Sequence, residues 1–223
     1  MAKTISEPSK KLDVLLDTDV VVLGGGPGGI PAAVAAARRG FKVALIERYG
    51  VLGGLATTCL MGPLFGYAPV EGRYAPGKQN HVDPQEYLIL GGIPMELVRM
   101  LQEIGGAHSN DQIDWDAIRF DPELFKIVCD DIVREAGVNV ILHAWAVGTI
   151  VEGDSIKAVI IESKSGRQAV TGKIFIDGTG DGDIAAFSGA PYTKGRKADG
   201  LTQSMGTRFR IGNVRDRTRE EID

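Results

Sequence analysis

Apolar residues in this chain fall into three kinds of pattern. The first is the short unbroken run. Asp19 to Leu23 (DVVVL) carries three consecutive valines without alternation, which predicts a parallel strand buried on both faces. Phe41 to Ile46, Val138 to Leu142 and Lys173 to Ile176 read as three more strands of the same core. The second pattern is the helical stripe. Ala32 to Ala37 is a thin, alanine-rich helix stopped at Gly40. Leu97, Val98, Leu101 and Ile104 line one face of a helix that opens at Gly91-Gly92-Ile93-Pro94 and stops at Gly105-Gly106. Leu124, Ile127, Val128, Ile132 and Val133 form the stripe of another, with Asp121 as cap, Pro122 at its first position and Gly137 at its end. The third pattern is a meander. Trp145 to Val151, Ile156 to Glu162 and Gln168 to Val170 read as strands joined by turns at Glu152-Gly153-Asp154 and Lys164-Ser165-Gly166-Arg167. Ile184 to Phe187 begins a further short helix.

Two stretches resist this reading. Gly62 to Leu90 is irregular, with scattered Gly, Pro and Tyr, and a loop of that length suits covering a ligand or meeting a partner. Ala107 to Arg119 is a largely polar connector containing Trp115. From Pro191 onward the chain turns basic and polar, and Met205, Phe209 and Ile211 are too few to close a second core.

Composition narrows the class. The 223 residues suffice for one large α/β domain or one and a half. A net charge of −4 argues against nucleic acid as the main partner. Cys59 and Cys129 form no C-x-x-C pair and no metal set, which fits a reducing, cytoplasmic setting. Val20 to Ala37 is uncharged but contains five glycines, so no membrane span is expected there. The first residues, MAKTISEPSKKLDVLL, lack the apolar core of a signal peptide.

The chemistry concentrates where the first strand meets the first helix. Gly24, Gly26 and Gly29 have the G-x-G-x-x-G spacing. The first glycine permits the tight turn, the second lets backbone approach a pyrophosphate, and the third lets helix and strand pack closely. The first N–H groups of the helix point at whatever anion lies there. Glu47 ends the second strand, 23 positions after Gly24, where a carboxylate can accept from ribose hydroxyls. The unit predicts a dinucleotide site in a Rossmann-like α/β fold. At this point NAD(P) fits as well as any other dinucleotide, since Glu47 would serve NAD and Arg48 a 2′-phosphate.

Four motifs in order resemble a known family: VVVLGGGPGGIPAA at Val20 to Ala33, LIERYGVLGGLAT at Leu45 to Thr57, FDPELFK at Phe120 to Lys126, and FIDGTGDGDIAA at Phe175 to Ala186. Together, over roughly residues 15 to 212, the chain resembles the N-terminal half of bacterial FAD-dependent oxidoreductases of the glutathione-reductase-like superfamily. The subgroup is the one related to the heterodisulfide reductase flavin subunit. The resemblance implies an FAD-binding domain with a central parallel sheet and a three-stranded antiparallel meander crossover. Its boundaries would be 15–190, with a loop insertion at 62–119. Residues 1–14 would be a flexible lead-in, and 191–223 the start of a substrate domain, itself largely absent, or a tail. Family members run further, so the resemblance also implies a split enzyme, a truncated product or a fragment, with a second chain or C-terminal half as partner and homo- or hetero-oligomers expected.

Carried over position by position, Gly24, Gly26, Pro27 and Gly29 would meet the FAD pyrophosphate. Glu47 would hold the adenosine ribose with Arg48 beside the adenine. Gly53, Gly54 and Ala56 would line the pyrophosphate-to-ribityl side, and Ala146 and Val147 would touch adenine through backbone. Thr179 and Gly180 match an A-T-G-type turn, with Gly178 where the family usually has alanine. Asp181 and Asp183 are open between binding ribityl hydroxyls and capping the next helix. The implied activity is hydride or electron transfer between a small organic substrate and flavin. The alternatives are a non-catalytic flavin subunit of a larger assembly and, more weakly, an NAD(P)-binding dehydrogenase domain. No catalytic side chain is assigned: His81 and His108 read as solvated loop residues, His143 as structural, Cys59 as a loop cysteine and Cys129 as core.

Overall fold

The valine run is the centre of the molecule. In the computed structural model, which describes residues 3–65, 91–107 and 117–212, every residue of Val20–Leu23 is buried. It is the second strand in the chain, β2, because Val14–Asp17 already forms an edge strand, β1. The helix α1 spans Gly29–Ala37, and β3 is Val43–Ile46, again buried throughout. The ribbon strand β4 covers Pro63–Phe65. Then follow α2 (Ile93–Glu103), β5 (Ala117–Arg119), α3 (Pro122–Glu135) and β6 (Asn139–Ile141). The meander is β7 (Trp145–Glu152), β8 (Ser155–Ser163) and β9 (Gly166–Thr171). Finally β10 is Ile174–Asp177 and α4 is Asp183–Phe187.

The parallel sheet has the order β10-β2-β3-β6, with Val20 opposite both Ile174 and Val43. Alternate residues serve two different cores. Val20, Val22, Val43 and Leu45 face Ile30, Ala33 and Val34 of α1 and Phe125, Val128 and Ile132 of α3. Val21, Leu23, Ala44 and Ile46 face Val159, Ile161 and Val170 of the meander. A strand covered on both sides needs an apolar residue at every position, which is why the run shows no alternation. Each such side chain contributes about 1.5–3 kcal/mol on burial.

The meander carries one more strand than its own sequence pattern predicts. β1 pairs in parallel with β9, Leu16 opposite Val170, so the second sheet has the order β1-β9-β8-β7. The lead-in therefore ends in ordered structure from Val14. Glu7 also reaches Arg167 across the surface at 2.8 Å. α2 is tied to α1 by a two-pronged ion pair, Arg38 Nη1 and Nη2 donating to Glu96 at 2.7 and 2.6 Å. β4 and β5 form a small antiparallel ribbon where an irregular stretch and a polar connector were expected, and Ile118 packs there on Met95 and Val98. Most of that irregular stretch, with His81, and Trp115 and His108 lie outside the described residues. Beyond Ala190, residues 191–212 form no helix or strand, and Met205, Phe209 and Ile211 are exposed.

Candidate dinucleotide site

At the carboxyl end of the parallel sheet lies a cleft of about 540 Å³. Its floor is Leu23, Gly24 and Ile46, the ends of β2 and β3. One wall is Gly26, Pro27 and Gly28 at the start of α1, with Gly54, Leu55, Thr58 and Cys59 above it. The opposite wall is the loop from Asp177 to Asp183. Glu47, Arg48, Tyr49, Ala144, Trp145 and Ala146 close one end.

The glycines divide by what a side chain would meet. A Cβ on Gly24 would lie 2.3 Å from the Gly178 carbonyl oxygen, and Gly24 also has φ +95°. A Cβ on Gly29 would lie 1.8 Å from the Gly24 oxygen. These two are required by packing of the turn itself. Gly26 differs: its Cβ would meet only the Gly54 Cα, at 3.8 Å. Gly54 in turn has no such room, since its own Cβ would fall 2.8 Å from the Gly26 Cα. Packing of the turn therefore does not require glycine at Gly26, which lines the cleft. Gly178, where the resemblance expects alanine, would place a Cβ 3.0 Å from the Leu23 oxygen and 3.3 Å from Gly29 Cα, a tight fit against backbone.

The start of α1 has no capping side chain and no acid in its first turn, with Gly28 as N-cap. α3 contrasts with it, since Asp121 Oδ1 accepts from Glu123 N at 2.7 Å and Leu124 N at 3.4 Å. An uncapped N-terminus on a cleft wall offers its N–H groups and the positive end of the helix dipole to an anion.

Glu47 is buried to 5% exposure, yet it lines the cleft. Its Oε2 accepts from Gly25 N at 2.7 Å and its Oε1 from Tyr49 N at 2.8 Å. Each carboxylate oxygen keeps a further lone-pair site, which a hydroxyl donor in the cleft can use. Gly25, outside the glycine spacing, is therefore part of the site. Its Cβ would strike Leu52 at 2.4 Å and crowd Glu47 at 3.3 Å.

Asp177 organises the far wall. Its Oδ1 accepts from the Thr179 amide at 3.0 Å and hydroxyl at 2.6 Å, and its Oδ2 from Ala185 N at 3.0 Å. Partial burial raises its pKa, but the hydrogen bonds from Thr179, Ala185 and Ile184 outweigh that and hold the carboxyl below its usual range. Asp183 is not the cap of α4. Gly182 is the N-cap, and the Asp183 amide donates to Thr179 Oγ1 at 3.0 Å.

Of the residues singled out by sequence, Gly24, Gly26, Pro27, Glu47, Arg48, Gly54, Ala146, Thr179, Gly180 and Asp183 line the cleft. Gly29, Gly53, Ala56 and Val147 do not. Gly29 packs beneath the turn, and Gly53 donates its amide to the Gly25 oxygen at 2.8 Å. Ala56 is in the main core, and Val147 is partly exposed beside the cleft. Sequence reasoning passed over Tyr49, Leu55, Thr58, Trp145 and Asp177. Asp177 stands at the head of the matched turn motif, which was the signal available for it. Cys59 reaches the cleft, whereas burial raises the Cys129 thiol so far that it stays protonated. Among the described residues no helix is long and apolar enough to cross a membrane, and no group of His, Cys, Asp and Glu forms a metal set.

A parallel sheet with a glycine turn, an uncapped helix and a strand-end acid at one cleft defines a dinucleotide-binding α/β protein. Residues 19–223 match the family described as FAD dependent oxidoreductase, and the chain belongs to that family, whose cofactor is FAD. Dihydrolipoyl dehydrogenase 2 of Arabidopsis thaliana is 36% identical over 95 residues, covering 42% of this chain and 18% of that protein. The dihydrolipoyl dehydrogenase of Trypanosoma brucei brucei is 39% identical over 88 residues, 38% of this chain and 18% of its own length. The chain thus spans less than a fifth of each of these relatives. A flavoprotein/dehydrogenase from Cytophaga hutchinsonii shares the fold with a TM-score of 0.54 at 18% identity, over 81% of this chain and 44% of that one. THI4 of Thermovibrio ammonificans does so at 0.51 and 17%, over 77% and 61%.

Proposed function

We propose that this cleft is where the chain holds FAD, and that the chain is the FAD-binding portion of an oxidoreductase acting on a small organic molecule. The observation that carries the reading is Gly26. Its backbone is uncovered at the mouth of an uncapped helix, with no packing partner that forbids a side chain. Gly26, Pro27 and Gly28 would receive the pyrophosphate. Glu47 would accept from the ribose hydroxyls, its orientation fixed by Gly25 and Tyr49. The loop held by Asp177 would bring Thr179, Gly180 and Asp183 to the opposite side of the cofactor. When bound, FAD supplies the electron chemistry, and these residues orient it and exclude water. Within the family, the four ordered motifs favour the subgroup related to the heterodisulfide reductase flavin subunit. The substrate contacts and any partner would come from a C-terminal half or second chain, with 191–223 leading toward it, and a reducing cytoplasm is the setting the two unpaired cysteines suit.

The test is the visible spectrum of the purified chain, with the chromophore released by heat and identified, alongside the Gly26→Ala variant. The wild type is expected to take up FAD. Gly26→Ala should keep the far-ultraviolet dichroism and thermal midpoint of the wild type while losing FAD affinity by about tenfold or more, roughly 1.4 kcal/mol. A variant that binds FAD as well as the wild type would remove the pyrophosphate from this wall of the cleft.

A further inference from the structure

The parallel sheet ends on a strand that has the composition of its interior. Residues Lys173 to Asp177 read KIFID, and β10 pairs with β2 without irregularity from Ile174 to Asp177. Among the described residues nothing pairs with its outer side, since the sheet order is β10-β2-β3-β6. β2 and β3 carry their apolar runs under cover on both sides. In β10, by contrast, Ile174 is 57% exposed and Phe175 and Ile176 are only half-buried. A straight, apolar edge of this kind is a template for pairing with another strand.

The other three sheet edges are less suited to it. β1 and β7, the edges of the meander sheet, pair irregularly with their neighbours. The register shifts between Val14 and Leu16 in β1, and twice between Ala146 and Val151 in β7. Such irregularities blunt an edge. β6 reads Asn-Val-Ile, so pairing it antiparallel with itself about Val140 would set Asn139 against Ile141.

The backbone of β10 selects a register. The Ile174 amide donates to the Asp19 oxygen at 3.0 Å and the Gly178 amide to the Leu23 oxygen at 2.7 Å. Both point toward β2, so by the alternation of a strand Phe175 directs its N–H and C=O away from the sheet. An antiparallel strand centred on Phe175 would exchange both bonds with it. A second copy in that register sets Phe175 against Phe175 and Ile174 against Ile176, which lies on the helix side of the sheet. It also sets Lys173 against Asp177, both of them exposed. Lys173 uses one of its three donors on Asp19, at 2.7 Å. The segment is thus complementary to itself in charge and in apolar content, as a two-fold interface requires.

We infer that β10 is a dimerisation edge, at which a second copy of this chain pairs antiparallel through Phe175 and joins two four-stranded parallel sheets into one. The two clefts, each at the carboxyl end of its own strands, then open at opposite ends of the joined sheet.

Sedimentation of the full chain in the micromolar range should give twice the mass of 23.8 kDa. Ile174→Lys charges an exposed edge position, so the circular dichroism should be unchanged. The dissociation constant of the dimer should rise by about a hundredfold or more, since each dimer buries this residue twice. The register is tested by mixing Ile174→Cys with Ile176→Cys, each also carrying Cys59→Ser, under mild oxidation. Opposed residues of a non-hydrogen-bonded pair have Cα atoms about 4.5 Å apart, within reach of a disulfide. Cross-linked dimer should form in the mixture and far less with either variant alone. A wild type that stays monomeric overturns the assignment, as does a mixture that cross-links no better than its components. So does an Ile174→Lys variant that dimerises like the wild type; should that variant lose its fold, the cross-linking decides.

Discussion

At the scale of single residues, the glycines and one acid carry the argument. Gly24 and Gly29 make the turn geometrically possible, whereas packing alone would admit a side chain at Gly26. The spacing alone shows three equivalent glycines, and only the packing separates their roles. Glu47 is likewise both structural and available: two backbone amides fix it, and its spare lone pairs face the cleft. Glu47→Gln should expose this double role. A glutamine keeps one acceptor oxygen and turns an amide NH2 toward either Gly25 N or Tyr49 N. The ligand-free chain should lose about 1–3 kcal/mol, the cost of a buried group left unsatisfied, and FAD affinity should fall as well. Urea unfolding with and without FAD measures the two losses separately. An unchanged ligand-free stability would mean that the amides of Gly25 and Tyr49 are satisfied without the carboxylate. Glu47 was legible from its place at the strand end. Gly25 was not, because its constraint comes from Leu52 and Glu47, which reach it only through the fold.

At the scale of elements, legibility follows locality. The buried strands β2 and β3 and the more exposed β10 announce themselves as apolar runs, and α3 by its Asp121-Pro122 start. β1 does not. Its Val14 and Leu15 are exposed, and what makes it a strand is parallel pairing with β9, more than 150 positions away. No local pattern encodes such a partner. The β4–β5 ribbon is hidden in the same way, since Leu64 meets Ile118 across a long intervening segment. The two helix starts show the complementary lesson: α3 spends a side chain on its first amides, and α1 leaves its own to the cleft. Asp121→Ala should therefore destabilise the chain by about 1 kcal/mol. That lowers the thermal midpoint by about 2–4 °C in a chain of this size. FAD affinity should be unaffected, as measured by titration of the folded variant. Loss of affinity without loss of stability would place α3 in the site, contrary to its position behind α1.

For the whole molecule, the cleft is where both sheets and three loops meet. The glycine turn follows β2 of the parallel sheet, Trp145 and Ala146 belong to the meander, and the Asp177 loop leaves β10 of the parallel sheet for α4. A ligand filling it should tie the two sheets together. With FAD at about 100 times its dissociation constant, linkage adds about 2.7 kcal/mol, a rise in thermal midpoint of about 5–11 °C. The stability of the ligand-free chain should depend on acid in a particular way. The Asp177 carboxyl is held below its usual range by the bonds it accepts. A depressed folded pKa means that its contribution is complete above the unfolded value, about 3.9, and fades as pH falls through the lower folded value. The ligand-free thermal midpoint should accordingly keep this contribution from neutral pH down to about 4 and lose it below. In Asp177→Asn an amide would face Thr179 or Ala185 N, so the ligand-free midpoint should already be lower at neutral pH and lose this acid limb. Thermal scans of both ligand-free proteins across that range decide the matter. An acid limb that survives in Asp177→Asn would assign the loss to another group.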